Sequence, residues 1–318
     1  MRLDRRSLLV GALAAGLGGR AIAQTPPPVA RPGRALAFPD PVETIDLWPA
    51  GAPGMPSPPP IEQVRERSTD PRYNDRIVLG IARPRMAVFR PARPNGATVL
   101  IMPGGGYSWV VVDKEGYEMA RLLAAQGITV FVLFYRLPGE GLAAGPDVAL
   151  ADARQAMRLI RQTRGVDPRR VCALGFSAGG HVCASLLTRF GDTASRPDAA
   201  ALLYPVISMS APDAHAGSRR NLLGATPTPE QERAYSPHLH VPADAPPCFL
   251  LHAEDDASVP VANSLMLHAA LRARGVPCEL HLFPDGGHGF GLRLARGKSV
   301  EHWPDLFLAW GRYRRLWS

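Results

Sequence analysis

One pentapeptide in the middle of the chain constrains the fold more than any other feature. Gly175-Phe176-Ser177-Ala178-Gly179 has the form G-x-S-x-G, and it stands between a strand-like apolar run (171–176) and a helical segment (178–190). Glycines permit a sharp, strained turn, and small neighbours let strand and helix approach closely. Such a turn holds the serine hydroxyl at the carboxyl edge of a sheet. The alternative is a glycine-rich turn with an incidental serine, so Ser177 needs chemical partners elsewhere in the chain.

Strand-like and helical segments alternate along the rest of the chain. Near-continuous apolar strands between helices indicate an α/β fold with a mostly parallel sheet and helices on both faces. The stretch 207–245 breaks the alternation, is rich in Pro, Ser and His, and is interpreted as a small cap-like insertion over one end of the sheet. The predicted strands are 86–90, 97–102, 128–135, 171–176, 200–206, 246–253 and 278–283, and the predicted helices are 115–126, 147–164, 178–190, 264–275 and 299–317.

The composition favours a globular protein without a nucleic-acid partner. The formal net charge is +8, but the arginines are scattered and no basic run with interleaved aromatics tracks a phosphate backbone. Beyond the N-terminal region no segment has the uninterrupted apolar length of a membrane span.

The cysteines show no C-x-x-C or C-x-x-H spacing, so buried free thiols are expected rather than a zinc site. We expect no metal and no cofactor, and the sequence predicts no oligomeric state. The four cysteines are Cys172, Cys183, Cys248 and Cys278.

The first residues are typical of an export signal. In residues 1–23, Arg5 and Arg6 precede a short apolar run that ends in Ala-Ile-Ala, the small-x-small form of a signal-peptidase site. The arginine pair followed by Ser-Leu-Leu resembles a twin-arginine signal, which predicts export of the folded protein to the periplasm or beyond, with an uncleaved anchor as the alternative. Residues 24–70, dense in proline, are predicted to form an extended and poorly regular arm. The domain that carries Ser177 is predicted to cover 71–318.

A serine hydroxyl becomes a good nucleophile only when a base takes its proton, and His288 is the strongest candidate for that base. It follows the last predicted strand in the segment Asp-Gly-Gly-His-Gly-Phe-Gly, where glycines on both sides form an exposed loop. His181 is expected to pack on the helix that follows Ser177. The remaining histidines of interest are His252 and His281, which fall in strands and are expected to be core residues, and His215, His238 and His240, which fall in the insertion and are candidates for lining a substrate groove.

The histidine in turn needs a carboxylate that sets its tautomer and stabilises the imidazolium. Asp255 and Asp256 both follow the predicted strand 246–253. The D-x-x-V-P spacing favours Asp256, and Asp255 is then a loop charge or a cap for the next helix.

Backbone N–H groups are the expected donors to an oxyanion. One is the N–H of Ala178, directly after the serine. Met-Pro-Gly-Gly-Gly-Tyr (102–107) follows an early strand, and its glycines leave N–H groups free, so Gly105 and Gly106 are the further candidates. The alternative is a plain turn. The spacing is not that of a dinucleotide-binding loop.

With these residues in place, the chain resembles an α/β-hydrolase of the esterase/lipase superfamily, and within it the secreted bacterial acetylxylan esterase-like proteins. The chain order Ser177, Asp256, His288 is that of the superfamily. Pro103 stands where many esterases have histidine, and the resemblance also implies a structural pairing of Arg136 with Asp152. The stretches that carry it are PGGGY (103–107), DKEGYEMA (113–120), FVLFYRLP (131–138), GFSAGGH (175–181), YPVIS (204–208), HAEDDASVP (252–260) and GGHGFG (286–291).

The resemblance implies a serine carboxylic-ester hydrolase that acts on a small-molecule or oligosaccharide ester. An exported protein of this kind is expected to deacetylate xylan or other acetylated carbohydrates. Tyr107 and Trp109 are candidates for packing on a sugar, with core or rim aromatics as the alternative. Two other functions stay open: a peptidase or lactone hydrolase of the same fold, and a non-catalytic module that binds carbohydrate. The intact set Ser177, Asp256 and His288 argues against the last.

Overall fold

The centre of the protein is a mostly parallel sheet of eight strands, which the sequence predicts. The structure is a computed structural model, and it describes residues 40–41 and 43–317. The predicted signal segment (1–23) lies outside the described residues. The strands are β1 (Glu43–Asp46), β2 (Gln63–Glu66), β3 (Arg76–Leu79), β4 (Arg85–Phe89), β5 (Thr98–Met102), β6 (Val110–Val111), β7 (Thr129–Phe134), β8 (Val171–Phe176), β9 (Ala199–Leu203), β10 (Cys248–Ala253) and β11 (Cys278–Phe283).

The strand order of the main sheet is β1-β4-β7-β5-β8-β9-β10-β11. In this order, all neighbouring strands from β7 to β11 are parallel. Near the other edge, β4 runs antiparallel to both of its neighbours, β1 and β7. Strands β5, β7, β8, β9 and β10 are buried along their whole length, which accounts for their continuous apolar sequence. A second sheet of three short strands, in the order β2-β3-β6, lies beside the main one.

Helices flank the sheet and supply the other half of the core. Helix α3 packs on β8 and β9 with α2 beside it, α1 packs on β7, and α6 and α7 pack on β10. Within the described part of the chain, no helix is long and apolar enough to cross a membrane. Cys172, Cys183 and Cys248 are buried free thiols as expected, and Cys278 is half-buried. The helices are α1 (Glu118–Ala125), α2 (Val148–Arg161), α3 (Ser177–Thr188), α4 (Ala216–Leu223), α5 (Pro229–Ala234), α6 (Ala262–Ala273) and α7 (Trp303–Tyr313).

The predicted boundary between an irregular arm (24–70) and the domain is wrong for the described part of that arm. Strand β1 pairs with β4 at the edge of the main sheet, and β2 pairs with β3 in the small sheet. Proline density predicts an extended backbone, but it does not reveal that the extended segments find unpaired strand edges. This segment therefore belongs to the domain.

A buried ion pair ties the arm to the core. The side chains of Arg136 and Asp152 are 1% and 0% exposed, and the guanidinium Nη2 lies 2.7 Å from Oδ1 of the carboxylate. The indole N–H of Trp48 donates to the same carboxylate at 2.9 Å, and Arg136 also donates to the carbonyl of Pro53. The pairing that the resemblance implies is confirmed, and it additionally anchors the Trp48 segment.

Removing the charge of Asp152 should destabilise the whole domain, because Arg136 would remain buried without a counter-charge. We expect Asp152→Asn to lower the free energy of unfolding by about 3–5 kcal/mol in urea denaturation. Glu230→Gln removes one partner of the exposed Arg233–Glu230 pair and is the matched control, with no measurable change expected. Equal midpoints for Asp152→Asn and the wild type would show that the pair is not structural.

The insertion between β9 and β10 is folded and helical. It contains α4, α5 and a short 3-10 turn (Pro237–Leu239). A capping box at Thr228, with Gln231 bonded back to its backbone, begins α5. The insertion leaves β9 at its carboxyl end, so it lies at the edge of the sheet where Ser177 also lies.

Candidate active site

The strand order brings together, at the carboxyl edge of the sheet, the five loops that follow β5, β8, β9, β10 and β11. Strand β5 is the hydrogen-bonded neighbour of β8, so the glycine segment after β5 lies beside Ser177. Strands β10 and β11 are neighbours too, and they place the aspartate segment beside the histidine segment. In an open parallel sheet, a site forms where loops at this edge meet.

Ser177 sits on a strained turn between β8 and α3. Its φ angle is +52°, which a residue with a side chain adopts only at a cost, and the residue is 5% exposed. A Cβ at Gly179 would come within 2.0 Å of the carbonyl oxygen of Met102, so only glycine lets α3 approach β5 this closely. The turn therefore has the strand-to-helix geometry that the G-x-S-x-G pattern predicts.

Ser177, His288 and Asp256 form one chain of hydrogen bonds. The hydroxyl of Ser177 donates to Nε2 of His288 at 2.8 Å, and Nδ1 of His288 donates to Oδ2 of Asp256 at 2.7 Å. Because the carboxylate can only accept, it holds the proton of the imidazole on Nδ1 and leaves the lone pair of Nε2 facing the serine. This arrangement can transfer a proton from the serine hydroxyl when the oxygen attacks an electrophile.

The structure places Asp256, not Asp255, against the histidine. Asp256 is 7% exposed, and its Oδ1 accepts the N–H groups of Ser258 and Val259 at 2.9 Å each. Burial opposes the charge, but hydrogen bonds from His252 and His288 outweigh it and hold the pKa of Asp256 well below its usual range. The carboxylate is therefore ionised at neutral pH.

Two neighbours hold this carboxylate and the histidine segment in place. Asp255 accepts the N–H of Gly287 at 2.7 Å, so it orients the turn before His288. His252 is fully buried and satisfied, as expected of a core histidine, and its Nε2 lies 3.3 Å from Oδ2 of Asp256. His252 thus also supports the carboxylate, a contact that its position in a strand did not reveal.

The segment after β5, residues 103–107, is called the oxyanion loop below. The N–H groups of Gly105 and Gly106 have no acceptor in the part of the chain that the structure describes, and the N–H of Ala178 lies in the first turn of α3 where intrahelical acceptors are lacking. Gly105 has a φ of +130°, and a Cβ there would lie 2.1 Å from the carbonyl oxygen of Trp109. The three predicted donors are thus available on the two segments that flank the hydroxyl of Ser177.

The insertion supports the oxyanion loop. Nδ2 of Asn221, on α4, donates to the carbonyl of Gly106 and to the hydroxyl of Ser108 at 2.7 Å each. His215 stands over the same glycine, since its Cε1 is 3.7 Å from the position of a Cβ at Gly106. The sequence marks His215 only as one of several loop histidines, and it offers no signal for Asn221.

His215 presents a neutral N–H to the site. Its Nδ1 accepts the backbone N–H of Ser218 at 3.1 Å, so the ring proton is on Nε2. Burial lowers the pKa of His215, and the charge on a nearby protonated His288 would lower it further. The ring is therefore a hydrogen-bond donor without a charge.

These residues line a cavity of about 270 Å³. Ser177 and His288 lie at one side, and Trp109, His215 and Asn221 form further walls. Trp109 is half-buried and borders the cavity, so packing on a substrate remains a prediction for it.

The prediction that Tyr107 packs on a substrate is wrong. Tyr107 is 3% exposed and belongs to the core, and its hydroxyl lies 2.6 Å from Nδ1 of His181. His181 in turn donates from Nε2 to the carbonyl of Tyr235, and burial lowers its pKa to about 4. The ring of Tyr107 turns inward because the loop reverses direction there, with a φ of +61°.

Sequence reasoning missed one buried acid at this site. Glu115 is 3% exposed and lines the cavity, in a short π-helical turn (Asp113–Tyr117) that precedes α1. The stretch DKEGYEMA carries part of the resemblance, but an acidic residue at the start of a helix normally interacts only with the helix dipole. Among the described residues, no group of three or more His, Cys, Asp or Glu side chains could hold a metal ion.

Comparisons with known proteins show the family and the fold of this chain. The model of the prolyl oligopeptidase family matches residues 144–311. An acetylxylan esterase of Xylanibacter ruminicola is 35% identical over 215 residues, which cover 65% of this chain and 44% of that protein. An endo-1,4-beta-xylanase B of Butyrivibrio fibrisolvens is 33% identical over 264 residues, which cover 79% of this chain and 41% of that protein.

A solved structure matches over nearly its whole length. The acetyl ester-xyloside bifunctional hydrolase from Caldicellulosiruptor lactoaceticus superposes with a TM-score of 0.68 at 32% identity, covering 88% of this chain and 98% of that one. In contrast, the chain spans less than half the length of the two curated relatives. The α/β-hydrolase fold expected from the sequence is confirmed.

Proposed function

Because the chain belongs to the prolyl oligopeptidase family of α/β-hydrolases, we propose that it is a serine esterase that removes acetyl groups from xylan or other acetylated carbohydrates. The observation that carries the proposal is the hydrogen-bonded set Ser177, His288 and Asp256, of which Ser177 and His288 line the small cavity. The relatives named for acetylxylan and xylosides support the choice of substrate.

In the acylation step, the oxygen of Ser177 attacks the ester carbonyl while Nε2 of His288 takes its proton. Asp256 stabilises the imidazolium without taking the proton itself. The carbonyl oxygen becomes an oxyanion, which the N–H groups of Gly105, Gly106 and Ala178 are placed to bind. When the ester bond breaks, His288 gives the proton to the leaving alcohol, and the acetyl group stays on Ser177.

In the deacylation step, water takes the place of the alcohol. His288 accepts a proton from the water as its oxygen adds to the acetyl carbon, and it then returns the proton to Ser177 as acetic acid leaves. No cofactor enters either step. If residues 1–23 export the protein as their sequence predicts, the enzyme meets polysaccharide outside the cytoplasm.

The substrate class can be tested by giving the protein competing acyl compounds. We expect acetate release from acetylated xylo-oligosaccharides, measured enzymatically, to exceed the cleavage of N-acetylated peptides and of simple lactones. Peptide cleavage without acetate release would replace the proposal by a peptidase, the activity for which the family is named. Saturable oligosaccharide binding without turnover would indicate the non-catalytic carbohydrate module.

The neutral His215 should contribute to recognition of the alcohol part of the substrate. His215 lines the cavity, and we propose that its Nε2–H donates to a sugar hydroxyl next to the ester, so we expect His215→Ala to lower kcat/KM on acetylated xylo-oligosaccharides by about 3- to 10-fold. The effect on p-nitrophenyl acetate, which lacks a hydroxyl, should be smaller. His240→Ala changes another histidine of the insertion, bonded to the carbonyl of Arg233, and serves as the control. An equal loss on both esters would contradict the assignment.

A further inference from the structure

Glu115 links the two loops that carry the chemistry of the proposed esterase. Its Oε2 accepts the N–H of Gly104, in the oxyanion loop, at 2.9 Å. Its Oε1 accepts the hydroxyl of Tyr204, at the end of β9, at 3.1 Å. The oxygen of Tyr204 accepts the N–H of Gly291 at 3.2 Å, in the histidine loop, which comprises residues 284–292. One carboxylate thus connects segments that are far apart in the chain.

The location of Glu115 is costly for a carboxylate. Both of its oxygens accept hydrogen bonds, and no cation lies within ion-pair distance of it among the residues that the structure describes. A buried carboxyl group that forms no ion pair stabilises a fold poorly. A role in the function of the site accounts better for a carboxylate here than a contribution to stability.

Both ends of this network lie next to reacting groups. A Cβ built at Gly104 would lie 2.6 Å from Oε2 of Glu115 and 2.8 Å from Cβ of Ser177, so the carboxylate is close to the nucleophile. At the other end, the ring centroids of Tyr204 and His288 are 5.1 Å apart in an edge-to-face arrangement. Tyr204 is fully buried. Its φ of +38° is a strained value for a residue with a side chain, and such strain is common at functional sites.

The two loops need such a link because they are rich in glycine. Gly105 and Gly106 in one loop and Gly289 and Gly291 in the other all have positive φ angles, and such backbone is flexible unless it is held. Preorganised donors stabilise an oxyanion more than mobile ones, because no free energy is spent on ordering them during the reaction.

We propose that Glu115 is a positioning residue that holds the oxyanion loop through Gly104 and the histidine loop through Tyr204. In this role it acts through the backbone of Gly104 and the hydroxyl of Tyr204 and transfers no proton. The inference rests on the proposed function, since it concerns transition-state stabilisation in ester hydrolysis. It predicts a loss that appears in kcat and not in KM, because only groups that become correctly placed in the transition state are affected.

Three substitutions and one control test the proposal with p-nitrophenyl acetate. Glu115→Ala removes both acceptors, and we expect kcat to fall about 100-fold while KM changes less than about threefold. Glu115→Gln retains one acceptor for Gly104 and should recover about tenfold of that loss. Tyr204→Phe cuts only the link to the histidine loop and should fall between them. Glu118, the first residue of α1, pairs with Arg293 and lies outside the link, so Glu118→Gln is the control and should match the wild type.

A boronic acid inhibitor provides a readout that a purely structural role would not change. The boron bonds to the oxygen of Ser177, whose proton passes to His288, and a tetrahedral boronate forms with one oxygen at the oxyanion donors. We expect the inhibition constant to rise by the same factor as kcat/KM falls across the variants. Thermal unfolding of each variant shows whether it folds. If Glu115→Ala does not fold, the comparison of Glu115→Gln and Tyr204→Phe with the wild type tests the proposal.

The outcomes separate the two proposals. Wild-type ester hydrolysis with equal kcat and equal boronate inhibition in Glu115→Gln, Tyr204→Phe and the wild type would overturn the positioning role alone. A rise in KM at constant kcat would also overturn it, because that result assigns Glu115 to substrate binding. A wild type that hydrolyses no ester would overturn the proposed function and this inference together.

Discussion

Replacement of Ser177 by alanine is expected to lower kcat for acetyl-ester hydrolysis by about 10⁴- to 10⁶-fold. Ser177 supplies the oxygen that bonds to Nε2 of His288, so without it only the weak catalysis by the N–H donors and by substrate binding remains. The fold should be retained, because a methyl group fits where the hydroxymethyl group was. Alanine, like serine, carries a Cβ, so it meets the same backbone strain at a φ of +52°. Acetate release with purified protein, followed over hours, measures the residual rate.

A second serine on the same helix is the matched control for this substitution. Ser185 is 3% exposed on α3, two turns beyond Ser177, and it does not line the cavity. We expect Ser185→Ala to keep the wild-type kcat. Retained hydrolysis in Ser177→Ala would remove the serine mechanism, and equal losses in both variants would indicate damage to α3.

The substitution Asp256→Asn is expected to lower kcat by about 10³- to 10⁴-fold with little change in KM. The amide is nearly isosteric, but it no longer forces the proton of His288 onto Nδ1, so Nε2 ceases to be the base. Asp255→Asn is the matched control one residue away, because its amide oxygen still accepts the N–H of Gly287. Steady-state kinetics of the two variants decide the assignment, and a larger loss in Asp255→Asn would reverse it.

Asp256 should also affect stability in a defined pH range. Its pKa is lower in the folded protein than in the unfolded chain, so its ionisation stabilises the fold at neutral pH. This contribution is present above the unfolded pKa and is lost as the pH falls through the folded pKa, in strong acid. Asp256→Asn should therefore be less stable than the wild type at neutral pH, with the difference shrinking on acidification.

The nucleophile was predictable from the sequence because its requirements are local. The close approach of Gly179 to Met102 and the positive φ of Ser177 impose residue types within five consecutive positions. His288 was predictable for a similar reason, since glycines on both sides mark an exposed loop directly after a strand. The strands β8 and β11 coincide with their predicted ranges. Strand β8 is a continuous apolar run bounded by loops, which has few other places in an α/β fold, and β11 alternates apolar and polar residues as a half-exposed edge strand does.

Element ends and side-chain directions were less predictable. The predicted strand 200–206 ends at Leu203, because Tyr204 turns to a positive φ and Pro205 follows it. The last helix is shorter than predicted and begins at Trp303, after a 3-10 turn. Tyr107 was a candidate for the substrate side, but a one-residue reversal in the oxyanion loop turns it into the core.

The sequence by itself determined the strand-to-helix turn at Ser177, the alternating α/β pattern, and the small set of candidates for the catalytic base and acid. Each depends on backbone geometry over a few neighbouring residues. The sequence also favoured Asp256 over Asp255, through the D-x-x-V-P spacing. Only the tertiary structure brought Asn221 and His215 of the insertion onto the oxyanion loop and joined Glu115 to Tyr204. These contacts span up to 115 positions in the chain. They form because the strand order places β5, β8, β9, β10 and β11 side by side, and no local pattern of residues encodes that order.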